Sequence, residues 1–165
     1  MLETTLAEIE QHLAIAGWDR PPALFALVRA DRFLADDPET ARRLGLDQVA
    51  GPTLTPIEQD ELPEGPLDEV LAGLEWPAAV TGCVLSQEIV FLPPEAEAGL
   101  TAEQAAGRAA GHPDRREARL VVGALRDGTT AAVLRLRETD GGAGELLTGP
   151  DLAPNLAAAL LDTLR

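Results

Sequence analysis

Residues 118–137 read Ala-Arg-Leu-Val-Val-Gly-Ala-Leu-Arg-Asp-Gly-Thr-Thr-Ala-Ala-Val-Leu-Arg-Leu-Arg. Two apolar arms flank Asp127-Gly128, a dipeptide favoured in tight hairpin turns, so the stretch reads as a β-hairpin. With a two-residue loop, Val121 pairs with Leu134 and Gly123 with Ala132. Side chains alternate along a strand. Val121, Leu125, Leu134 and Leu136 then share one face, and Leu120, Val122, Val133, Arg135 and Arg137 share the other. A face that is half apolar and half Arg is either partly covered or an interface.

Upstream, Ala79 to Leu92 is apolar at both parities. Cys83, Leu85, Ile89 and Phe91 alternate with Val80, Val84 and Val90, which predicts a central strand or a pair of strands. Pro93-Pro94 ends it. Thr101-Ala-Glu-Gln104 matches a capping box and predicts a helix to Ala110, with Gly111 beyond its end. Downstream, Gly141-Gly142-Ala-Gly144 reads as a flexible connector. The last helix is expected from an N-cap at Asp151, which places Pro154 in the first turn, where its missing N–H costs nothing. Leu152, Leu156, Leu160 and Leu164 form its stripe, widened by Leu161.

At the other end, Leu2, Leu6, Ile9, Leu13 and Ala16 mark one face of an amphipathic helix, with Glu3, Glu8, Glu10 and Gln11 outside. Gly17 stops it. Leu24 to Val28 reads as a strand buried on both faces. Asp37-Pro38-Glu39 starts a short helix that ends in Arg42-Arg43-Leu44 with Gly45 as cap. Residues 45–56 read as loop, and 57–62 as a charged edge strand. Leu67, Val70, Leu71 and Leu74 mark a helix of about two turns.

Without regular βαβ alternation, this order gives a single α+β domain over 1–165. A mainly antiparallel sheet is expected, with the helices, including the N- and C-terminal ones, packed on one face.

The 165 residues carry 13 basic and 28 acidic side chains, a net charge of −15. Such a field disfavours nucleic acid and anionic membrane as partners. No run of 18 apolar residues and no basic-then-apolar leader is found, so a cytoplasmic location is expected. One Cys and two His leave no disulfide framework, and no metal site or other cofactor is expected. Every basic residue is Arg, and residues 104–165 are neutral while residues 1–103 carry the whole excess of acid. The Arg cluster at 108, 115, 116, 119, 126, 135 and 137 either pairs with the chain's own acids or binds an anion.

No catalytic constellation emerges. Cys83 lies in an apolar strand, where a thiol is normally inert. Ser86 lacks the surroundings of a nucleophile elbow. The densest polar segment is His112-Pro113-Asp114-Arg115-Arg116-Glu117. His112 there either caps a helix end or belongs to a site. His112, Arg115, Arg116 and Arg119 are the candidate ligand or anion-binding residues. Thr148-Gly149-Pro150-Asp151, before a helix, is a weaker anion candidate because Asp151 opposes it.

Several segments carry a resemblance: Gly17-Trp18-Asp19-Arg20-Pro21-Pro22 with Leu24 to Val28, Trp76-Pro77 with Gly82-Cys83, His112 through Gly123, Arg126-Asp127-Gly128, and Leu147 through Leu152. In this order the chain resembles a family of acidic actinobacterial proteins of similar length and unknown function. The resemblance implies an actinobacterial source and a cytoplasmic location, and it carries over no catalytic residue.

Two functions fit these residues. The first is a non-enzymatic binding or adaptor module with a protein partner or as a homodimer. By analogy alone, its layout is that of small acidic secretion-chaperone-like domains. The alternative is a small-ligand-binding protein or enzyme with a polar site around His112, Asp114, Arg115 and Arg116.

Overall fold

Leu24-Phe25-Ala26-Leu27-Val28 has no polar position, so both of its faces need cover. In the computed structural model this run is the heart of strand β1 (Ala23–Arg29), and all five residues are buried. The structure describes residues 2–46, 54–59, 62, 66–91, 116–137, 143–149 and 152–164. Strand β1 lies in a six-stranded sheet with β2 (Leu54–Glu58), β3 (Gly82–Phe91), β4 (Arg116–Leu125), β5 (Thr130–Arg137) and β6 (Ala143–Gly149). The order is β2-β1-β3-β4-β5-β6, and every pairing is antiparallel. Five described helices accompany it: α1 (Leu2–Ile15), α2 (Ala30–Asp36), α3 (Pro38–Arg43), α4 (Leu67–Ala72) and α5 (Pro154–Thr163). The class is α+β, with helices at both ends of the chain.

The helices do not share one face as expected. Leu2, Leu6 and Ile9 of α1 pack on Phe25, Leu27, Val84, Val121, Ala131 and Val133. Leu160 and Leu164, in and just after α5, join Leu24, Ala26, Cys83, Leu85, Leu120, Val122, Ala132 and Leu134. These sets have opposite strand parity, so α1 covers one face and α5 the other. The cause is in the strands: each of β1, β3, β4 and β5 is apolar at both parities, and one layer of helices cannot cover both sides.

The hairpin forms, but its register is one residue from the expected one. Leu125 N–H donates to the Thr129 carbonyl at 2.8 Å, and Gly128 N–H to the Leu125 carbonyl at 3.0 Å. Gly128 has φ +95°. The loop therefore has three residues, a turn followed by a left-handed glycine. Val121 pairs with Val133 and Gly123 with Ala131. A slip of one residue turns every β5 side chain to the opposite face relative to β4. The mixed face is thereby resolved: Arg119, Val121, Val133 and Arg135 point to α1, while Leu120, Val122, Ala132 and Leu134 point to α5.

The edges also depart from expectation. Residues 54–56, read as loop, are strand; Pro56 is tolerated because β2 is an edge strand. Residues 143–149 form the other edge strand, so Ala143 and Gly144, read as part of a flexible connector, are strand. Helix α2 follows β1 without a turn residue, with Phe33 and Leu34 packed on the core. Asp37 caps α3 by accepting from Thr40 N–H at 3.2 Å, with Pro38 in the first turn. Helix α5 begins at Pro154 with Ala153 as cap, and Leu152 stays outside the buried stripe. The cap expected at Asp151 and the helix expected at 101–110 lie outside the described residues.

Candidate functional site

Arg119 stands in an apolar strand and is only 3% exposed. A guanidinium keeps its charge in any protein environment, so a buried Arg needs a carboxylate. Helix α1 supplies Glu10, which was expected in solvent and is instead fully buried. The buried face of α1 also takes in Thr5, one turn from Ile9, and so is wider than a leucine stripe. Arg119 Nη1 donates to Glu10 Oε1 at 3.2 Å. Arg135 grips the same carboxylate in a fork, Nε to Oε1 at 3.2 Å and Nη2 to Oε2 at 3.0 Å. The remaining donors reach backbone: Arg119 Nη2 to the Gly17 carbonyl at 2.6 Å and Arg135 Nη1 to the Gly144 carbonyl at 3.0 Å.

The loop after α1 folds onto this cluster. Gly17 has φ +86° and Asp19 φ +65°. Trp18 lies against two guanidiniums, with Arg119 at 4.5 Å and Arg137 at 5.3 Å from the ring centroid, within cation–π range. Arg137 Nη1 also meets Asp19 Oδ1 at 3.1 Å and Glu117 Oε2 at 3.2 Å. The hydrogen bond to Asp19 raises the Arg137 pKa further. Glu88 Oε1 and Oε2 accept the N–H groups of Asp19 and Arg20 at 2.8 and 2.6 Å.

A cleft of about 140 Å³ opens beside this loop. Its floor is Ser86, Glu88 and Arg119; His12 and Leu13 of α1 with Ala16 just after it form one wall, and Arg20, Pro21 and Glu58 the other. Sequence reading set Ser86 aside and placed His12 nowhere. The signal available was the shared parity of Ser86 and Glu88 in a strand whose other same-face residues are apolar.

Of the residues singled out beforehand, Arg119 lies in the cluster and lines the cleft. Arg116 starts β4, and its side chain is outside the described set, as are His112, Asp114 and Arg115. Arg126 is engaged with backbone carbonyls, at 2.7 Å to Val80, 3.0 Å to Pro77 and 3.3 Å to Trp76, and also meets that of Leu164. Cys83 is buried, and burial pushes its thiol up to about 11. A thiol so raised is a poor nucleophile at neutral pH. Among the described residues no cluster of three His, Cys, Asp or Glu could hold a metal ion, and no helix is long and apolar enough to cross a membrane.

A family model described as PPA1309-like protein matches residues 2–165. No curated protein and no solved structure matches the chain.

Proposed function

The chain belongs to the PPA1309-like protein family, and we propose that it is a non-enzymatic, cytoplasmic binding module that takes up a partner's extended segment along β6. The observation that carries this reading is the β6 edge. Among the described residues it ends the sheet, and Leu147 on it and Leu152 just beyond it are 36% and 37% exposed. An edge strand offers main-chain donors and acceptors, and side chains beside it select the added strand. The charged groups of the α1 face support the same reading from the other side. Glu10, Arg119, Arg135 and Arg137 hold one another and the Trp18 loop. The hairpin face that first suggested an interface is covered by α1, which leaves β6 as the better surface.

The test is a tagged pull-down from the native host with wild type and Leu147→Lys, together with light scattering of both pure proteins. A stoichiometric partner, or a homodimer, that is present for wild type and lost for Leu147→Lys supports the module. Equal capture by both proteins, or a partner-free monomer, overturns it.

A further inference from the structure

We propose that the cleft beside α1 binds a small organic cation of the amino-alcohol class, with its ammonium against Glu58 and Glu88 and its hydroxyl on Ser86. This site is separate from the β6 edge. Ser86 is only 6% exposed, yet it lines the cleft, and among the described residues its hydroxyl has no hydrogen-bond partner. Most of Ser86 is buried while its hydroxyl opens into the cleft, where a ligand can exchange hydrogen bonds with it. Two carboxylates share that space. Glu88 is fixed by the N–H groups of Asp19 and Arg20, and each of its oxygens keeps a lone pair free for a further donor. Glu58 is exposed and also lines the cleft.

The remaining charges do not reverse the sign. Arg119 is bonded to Glu10 and to the Gly17 carbonyl and is stacked on Trp18. Arg20 and His12 are exposed, as Glu58 is, and solvent screens all three. Arg137, which interacts with Glu88, is paired with Asp19 and Glu117. His12 and Leu13 lie in the last turn of α1 and Ala16 follows it, so this wall is at the negative end of the helix dipole. Leu13, Ala16 and Pro21 give methylene-sized apolar contact. A volume of about 140 Å³ compares with the roughly 150 Å³ that encloses benzene, so the ligand has about six non-hydrogen atoms or fewer.

The test is a two-dimensional NMR titration of the full chain with ethanolamine, against acetate and n-propanol at matched ionic strength. Ethanolamine is expected to give saturable shifts at Leu13, Ala16 and Ser86, with a Kd of about 1 mM. Glu58→Gln, at an exposed position, is expected to weaken binding about fivefold. Ser86→Ala is expected to remove the advantage of ethanolamine over ethylamine. Shifts of the same amides by acetate, no saturable shift with ethanolamine, or unchanged affinity in both variants would overturn the assignment.

Discussion

Arg119 and Arg135 stand directly opposite each other on β4 and β5, and both guanidiniums close on the carboxylate of Glu10. Like charges at that position repel, and by themselves they would weaken the hairpin. Glu10 turns the repulsion into an anchor for α1. The arrangement exists because the hairpin loop has three residues. With two, Arg135 would face away from Arg119.

Glu10→Ala is therefore expected to cost about 3–5 kcal/mol, because it leaves two guanidiniums without their carboxylate, one of them fully buried. Urea denaturation of wild type and variant measures this. Replacing all three residues by apolar ones, as in Glu10→Leu with Arg119→Met and Arg135→Leu, is expected to recover most of the loss. If the triple variant is as unstable as Glu10→Ala, the cluster has a role beyond charge compensation.

Gly123 explains how α1 approaches the sheet so closely. A Cβ there would lie 2.8 Å from Leu6 Cδ2 and 3.2 Å from Leu2 Cδ1. Both are ends of flexible side chains, so Gly123→Ala is expected to cost about 1–3 kcal/mol, with partial rescue by Leu6→Val. At Gly82 the added Cβ would meet the Ala124 carbonyl oxygen at 2.5 Å. Backbone cannot step aside so easily, and Gly82→Ala is expected to be the worse of the two. A thermal-melt series of these variants checks the order.

The class of fold was legible because its signals are local. Asp127-Gly128 marked the hairpin, Asp37-Pro38 a helix start, and the unbroken Leu24–Val28 run a strand buried on both sides. The register was not legible, because two- and three-residue loops around Asp-Gly differ in geometry and not in composition. From that one residue came the wrong facing of Arg135, while the burial of Glu10 was hidden because the apolar stripe of α1 places it outside. Strand β6 was hidden by its glycines; its only long apolar side chains, Leu146 and Leu147, are adjacent and show no alternation. The cleft was hidden for a different reason. Its lining comes from α1, the loop after it, and β2, β3 and β4, and no sequence spacing joins them.

The loop length itself can be tested. Gly128 at φ +95° is in a region that costs an L-residue about 1–2 kcal/mol. Gly128→Ala is expected to lower stability by that amount. The Thr129 hydroxyl, together with the Thr129 N–H that donates to Asp127 at 2.8 Å, holds the Asp127 carboxyl below its ordinary value. Asp127→Ala is expected to loosen the same turn by a smaller amount. If Gly128→Ala is neutral by urea melt, the loop does not have the left-handed glycine.

Cys83 gives the chain an alkaline limit. Its thiol is surrounded by the core, with Sγ 3.7 Å from the Leu160 carbonyl and 3.6 Å from Thr163 Oγ1, and burial raises it from 9.0 to about 11. The folded state thus holds this proton more tightly than the unfolded chain. Its contribution is complete below pH 9 and is lost as pH rises toward 11, with a slope of up to about 1.4 kcal/mol per unit. Urea midpoints are expected to fall over that window in wild type and much less in Cys83→Ala. The variant should begin slightly less stable at neutral pH, from the small cavity it leaves. The thiol should also resist alkylation in the native protein and react only as fast as the chain opens. An equal alkaline decline in Cys83→Ala would assign the effect to another group.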